Sequence, residues 1–187
     1  MNINLVTSNL GKVEELTYIL KPFGHKASQL DIECPEIQAA TLEEVVDFGL
    51  DWLGAKKVQT PFIIDDAGIF VEALENFPGV YSRYVYDTIG LQGVLKQMEG
   101  VDDRVTSFKC VLGLMLEDGS KHKFVGECKG NLIHEMRGTG GFGYDPIFIP
   151  EDYDKTFSEL SPKEKNDVSH RGRAMHKLID FLSKLED

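Results

Sequence analysis

A chain of 187 residues, 42% hydrophobic and 27% charged, has the size and balance of a globular protein with a real core. Its formal charge of −11 argues against a nucleic-acid backbone or an anionic membrane as the main partner, and leaves room for a polyanionic small ligand met by local cations or Mg²⁺. Cys34, Cys110 and Cys128 are odd in number and outside any CxxC spacing, and neither a basic leader nor a membrane-length apolar run is present, so the expectation is a cytoplasmic protein with one domain over residues 1–187.

Residues 3–6 read as a short strand, broken by Thr7-Ser8-Asn9. Residues 12–20 then carry apolar side chains at helical spacing, with Asn9 or Ser8 as N-cap and Pro22 and Gly24 as the stop. Strand, polar turn and helix start together make an anion site, because free backbone N–H groups point outward at the positive end of the dipole. Lys12 adds a point charge in the first turn. The P-loop glycines and Lys-Ser/Thr pair are missing, and an ordinary capped helix with Lys12 in solvent has the same pattern. Residues 27–33 suggest a second strand. Cys34-Pro35-Glu36 follows as a loop, with Glu36 free to point into a cleft. Thr41-Leu42-Glu43-Glu44 is a capping box opening a second helix. Its apolar face is Leu42, Val45, Val46, Leu50 and Leu53, and Lys56 and Lys57 fall in its last turns, as the dipole prefers.

Phe62-Ile63-Ile64-Asp65-Asp66-Ala67-Gly68 is the stretch that organises the chain. Pro61 stops what precedes it, and the apolar run reads as a buried strand running into two carboxylates, with Ile69-Phe70-Val71 continuing in extended form beyond Gly68. Open α/β sheets place ligands at the carboxyl ends of their strands. Adjacent acids repel unless a cation or proton intervenes. Alternation along a strand lets one acid face a cleft and the other its wall. A solvated polar turn is the plain alternative.

Residues 77–84 are a turn followed by an aromatic-rich segment, suited to simple packing, a cleft wall, a lobe junction or a dimer face. Asp87 can cap a helix bearing Leu91, Val94, Leu95 and Met98. Residues 108–116 form a long β-type run, Asp118-Gly119 a hairpin turn, and residues 123–128 the return, with 131–134 extending the sheet. Antiparallel pairs are thus added to a sheet begun as βαβ. Residues 137–146 contain four glycines in six residues, around Phe142 and ahead of Tyr144-Asp145-Pro146. Such a loop brings backbone close to a ligand. Phe142 can stack on a base, and Asp145 can accept hydrogen bonds from a base edge. Ser161-Pro162-Lys163-Glu164 is a second capping box, opening a short helix that carries Lys165. Val168, Met175, Leu178, Ile179, Leu182 and Leu185 give a final helix its apolar face. Ser169 or Asp167 caps it, leaving His170 and Arg171 in the first turn, where cations oppose the dipole. That cost suggests a ligand-facing role, with a salt bridge as the alternative.

Six segments in this order carry a resemblance: Thr7-Ser8-Asn9-Leu10-Gly11-Lys12, Pro35-Glu36, Asp65-Asp66-Ala67-Gly68, Pro78-Gly79-Val80-Tyr81-Ser82, Phe142-Gly143-Tyr144-Asp145-Pro146, and the run from Glu164 through Lys165 and His170-Arg171 to Gly172. Together they resemble the inosine/xanthosine triphosphate pyrophosphatases, which hydrolyse non-standard purine nucleoside triphosphates. The resemblance implies a two-lobed α/β fold around a long central mixed sheet flanked by helices, with the active-site cleft between the lobes, and a homodimer. It implies Mg²⁺-dependent cleavage of ITP, dITP or XTP to the monophosphate and pyrophosphate. By position it implies Asp66 as general base and metal ligand, Glu36 as metal ligand, and Asp65 as a further candidate ligand. Thr7, Ser8, Asn9, Leu10, Gly11, Lys12 and Lys165 correspond to phosphate binders. Phe142 corresponds to the stacking ring, Gly143, Tyr144 and Asp145 to the rest of its loop, and His170 and Arg171 to the base-recognition pair. Many members have Ser or Thr where this chain has Ala67, so a hydroxyl contact would be missing there, and a backbone N–H would serve in its place. Rival readings are a Maf-type nucleotide pyrophosphatase, against which the Phe-Gly-Tyr-Asp and Ser-His-Arg segments speak, and a non-catalytic nucleotide sensor, against which the acid pair speaks.

Overall fold

The computed structural model of the chain describes residues 1–35 and 37–185. In chain order the elements are β1 (Asn2–Val6), α1 (Leu10–Leu20), β2 (Lys26–Leu30), α2 (Leu42–Ala55), β3 (Phe62–Val71), β4 (Phe77–Pro78), α3 (Ser82–Thr88), α4 (Gly90–Gln97), β5 (Val105–Met115), β6 (Lys121–Leu132), β7 (Phe148–Pro150), α5 (Pro162–Val168) and α6 (His170–Leu185). Seven strands form one mixed sheet in the order β2-β1-β3-β5-β6-β7, with β4 pairing the far end of β3. Only β2-β1-β3 is parallel; every other pair is antiparallel.

Each end of the sheet builds its own core. At the β1–β2 end, Leu16, Ile19 and Leu20 of α1 and Met175, Leu178, Ile179 and Leu182 of α6 cover one face. Leu42, Val46, Leu50 and Leu53 of α2 cover the other. At the far end Val85 of α3 and Val94 of α4 pack with Phe108, Phe148, Phe157 and Tyr144. These are the two lobes that the resemblance implied, strung on the long strands β3, β5 and β6. No helix among the described residues is long and apolar enough to cross a membrane.

The acid pair lies in mid-strand, with the expected extended continuation through Val71. β3 runs ten residues, and its ladder with β5 continues unbroken from Phe62 opposite Met115 to Val71 opposite Thr106. What ends is its other neighbour. β1 pairs with β3 only at Phe62 and Ile63, and β4 joins only at Phe70 and Val71. Between them one edge of β3 has no partner strand among the described residues. Side chains fill in: Lys12 Nζ donates to Asp65 O (3.2 Å), and Ile69 N donates to Ser82 Oγ (2.9 Å). The switch from parallel to antiparallel neighbours opens this gap, and a cleft of about 910 Å³ lies along it.

Three expectations change. The return strand and its expected extension are a single twelve-residue strand, β6, because Gly126 and Gly130 stay in register opposite Cys110 and Thr106. Asp87 caps nothing: it lies inside α3 and pairs with Arg83 one turn earlier. Lys56 and Lys57 fall just beyond α2, whose last turn holds no base. Both capping boxes form, at Thr41–Glu44 and Ser161–Glu164.

Candidate active site

α1 starts at the mouth of the gap. Asn9 caps it, accepting from Lys12 N at 3.3 Å, while Thr7 Oγ1 accepts from Asn9 N. Thr7, Ser8, Asn9 and Lys12 line the cleft. Leu10 does not; its side chain is 65% exposed on the outer side of the first turn. Gly11 does not line it either, and lies beneath the Phe142 ring instead. Glu36 lies outside the described residues.

Alternation along β3 separates the two acids. Asp65 points to the α1–α6 side and Asp66 to the α2 side. Asp65 is sealed in: Lys12 Nζ lies 3.0 Å from Oδ1 and Arg171 Nε 3.0 Å from Oδ2, with 1% of the side chain exposed. Burial alone would raise its pKa, but Lys12 and Arg171 outweigh burial and hold it down at about 2. Asp65 is therefore a permanent anion already spoken for by two cations, which argues against its expected place among the metal ligands. Asp66 is half-buried and lines the cleft, as does Ala67.

The floor of the cleft is a chain of alternating charges that no local reading of the sequence contains. Lys12 meets Asp65, Asp65 meets Arg171, and Arg171 Nη1 meets Glu15 Oε2 at 2.6 Å. Glu15 Oε1 meets Lys165 Nζ at 2.6 Å, and Lys165 meets Asp145 Oδ2 at 2.7 Å. Three cations and three anions from β3, α1, α5, α6 and the loop after β6 thus form one largely buried line. Burial would raise the Glu15 pKa, but Arg171 and Lys165 overcome that and lower it. At Asp145 burial wins over Lys165 and the pKa rises. Glu15 was absent from the sequence-based candidates. Its signal was spacing: three residues beyond Lys12 on α1, it shares that lysine's face.

At the far end of this line stands Phe142. Lys165 Nζ lies 4.7 Å and Arg171 Cζ 5.6 Å from its ring centroid, within cation–π range. Asp145 Oδ2 also accepts from Phe142 N (2.8 Å), which fixes the loop. The turn leaves no room for a side chain at Gly141, which has φ 70° and where a Cβ would lie 2.0 Å from Asp145 Oδ2. Phe142 is half-buried and lines the cleft with Gly143. Tyr144 is a strut: its ring packs in the far core and its hydroxyl donates to Ser82 O (2.8 Å), tying the loop to α3.

Lys165, expected among the phosphate binders, reaches Glu15, Asp145 and the Phe142 ring. His170 stacks flat on Phe108, with centroids 4.6 Å apart and planes 9° apart. Burial first, then Arg171 and Lys165, push its pKa well below the usual imidazole value, so the ring is neutral. Its Nδ1 is buried with no hydrogen-bond partner among the described residues. Burial would lower the Arg171 pKa, but Asp65 and Glu15 raise it, so the guanidinium stays charged. Ser169 Oγ caps α6 by accepting from Gly172 N (3.0 Å), and the two side chains that follow are thereby aimed inward.

A family model described as the Ham1 family matches residues 3–181. The dITP/XTP pyrophosphatase of Pyrococcus horikoshii is 54% identical over 182 residues, covering 97% of each chain. That of Thermococcus kodakarensis is 51% identical, covering 98% of each. Among solved structures, the Ham1 protein of Staphylococcus aureus superposes with a TM-score of 0.83 at 29% identity, over 98% of this chain and 99% of that one. A HAM1 protein from Coxiella burnetii gives 0.81 at 33% identity, over 98% and 99%. With sheet, helices and near-complete sequence coverage in agreement, the chain belongs to the Ham1 family.

Proposed function

We propose that this protein hydrolyses non-standard purine nucleoside triphosphates such as ITP, dITP and XTP to the monophosphate and pyrophosphate. One observation carries the reading: a single cleft is lined by a capped helix start bearing Lys12, an aromatic ring over two cations, and a cleft-facing carboxylate, Asp66. The names of the Pyrococcus and Thermococcus relatives support it.

The triphosphate lies against the start of α1, where N–H groups of the first turn and Lys12 oppose its charge. Ala67 N–H is on the same edge of β3 as Asp65 O and Ile69 N, both of which reach into the gap, so it stands in for the missing hydroxyl. Among the described residues no group of three or more His, Cys, Asp or Glu side chains could hold a metal ion. Mg²⁺ is held by one or two carboxylates together with substrate phosphates, and Asp66 offers such a carboxylate in the cleft. Asp66 would hold it, and the resemblance adds Glu36 as a second ligand. Mg²⁺, when bound, offsets phosphate charge and acidifies water. Asp66 orients a water and takes its proton as it attacks the α-phosphorus. Lys12 and the α1 N–H groups stabilise charge on the departing pyrophosphate.

Phe142 stacks on the purine. Arg171, held by Asp65 and Glu15, donates to the keto oxygen at position 6 of hypoxanthine or xanthine. Neutral His170 offers Nδ1 as a further partner whose role follows its tautomer. Adenine carries an amino group at position 6 and leaves the Arg171 donor unpaired, a strong penalty in a buried polar site. A homodimer belongs to the same reading, and Phe77, Tyr81 and Tyr84 are exposed rings within one short segment. Pyrophosphate release is to be measured from ITP, dITP, XTP, GTP and ATP, with and without Mg²⁺, on protein whose mass in solution is determined alongside. The expected result is Mg²⁺-dependent turnover of the first three, from a particle of two chains. Equal turnover of ATP and ITP would sink the selectivity argument, and no pyrophosphate from any of them would sink the reading.

A further inference from the structure

Gly11 is the second residue of α1 and has no left-handed φ, so the path of the chain does not require glycine there. Glycine is also a poor helix former. What requires it is space. A Cβ at position 11 would lie 2.7 Å from Phe142 Cδ1 and 2.9 Å from Cε1. The third neighbour, Asn9 Oδ1, would be 3.2 Å away and needs to give only a few tenths of an ångström. The edge of the Phe142 ring therefore occupies the volume that any side chain at residue 11 would take. Its backbone N–H is held by Asp145, and Lys165 and Arg171 lie near its ring, so withdrawal from α1 disturbs all of these contacts.

We propose that Gly11 is a positioning residue for purine recognition: the missing side chain is the seat of the Phe142 ring and sets how wide the base slot stands. This rests on the reading of Phe142 as the stacking ring. The effect works through vacant space and not through the Gly11 N–H, which alanine retains.

The test is a double-mutant cycle of Gly11→Ala and Phe142→Ala, read by ITP kinetics and by thermal unfolding. Alanine at 11 in the otherwise native protein forces the closest ring contact from 2.7 Å out to about 3.4 Å. Part of the stacking is then lost, so KM rises about five- to tenfold while kcat stays within about twofold. Once Phe142 is alanine, adding Gly11→Ala leaves KM unchanged. Better helix propensity then raises Tm by about 2 °C, a gain absent when the ring is present. An equal KM change in both backgrounds, or an equal Tm gain in both, overturns the proposal. If the native protein turns over no nucleotide, the function reading falls and takes the slot with it. The Tm cycle then still upholds or overturns the seat by itself, because unfolding needs no substrate.

Discussion

Asp65 and Asp66 are chemically identical neighbours that end in different situations. Asp65 is locked between Lys12 and Arg171, and its replacement by Asn would leave the buried Arg171 and the partly buried Lys12 short of an anion, at a cost of about 3 kcal/mol. Asp66 faces the cleft from the other side of the strand. Asp66→Asn keeps shape and removes the base, so kcat should fall at least about 100-fold with KM changed only a few-fold, as measured by pyrophosphate release from ITP. A kcat near the native value would end the general-base assignment. That one acid faces the cleft and the other its wall was legible from strand alternation. Which was which was not, because the phase of β3 is set by where α1, α2 and α6 dock, and those contacts span tens to over a hundred residues.

At the scale of elements, α5 is the instructive case. Seven residues are too few to hold a helix by themselves. Its capping box and Pro162 hold the first turn, and Lys165 depends on that turn to reach both Glu15 and Asp145. Ser161→Ala removes one half of the box and should lower stability by about 1 kcal/mol in urea titrations, with a modest rise in KM. A rise in kcat or an unchanged stability would mean that the cap does not carry α5. Capping boxes, the Asp118-Gly119 hairpin and the Asn9 cap were legible because each is complete within four residues or so. Glu15 escaped because its partners, Lys165 and Arg171, lie 150 and 156 residues away. β7 escaped because three residues carry no periodicity, and it exists only by pairing with β6.

For the whole molecule, the buried line of charges has a pH signature. The folded-state pKa of Asp65 is about 2, below its ordinary 3.8. A depressed carboxylate contributes stability that is fully present above the unfolded value and is lost as pH falls through the folded one. The shift corresponds to about 2 kcal/mol, lost between roughly pH 4 and pH 2. Glu15 acts in the same direction, and Asp145, whose pKa is raised, partly opposes them. Urea unfolding across this range should show a steep acid loss, and Asp65→Asn should flatten it from a lower starting stability. An unchanged slope in that variant would mean that Asp65 is not the group responsible. The unbroken ladders of β3, β5 and β6 carry one more consequence. The two halves of the molecule are planks of a common deck, not doors hung on a flexible strap. Swinging them shut would tear rows of hydrogen bonds, so the ladders oppose any hinge closure between the two halves.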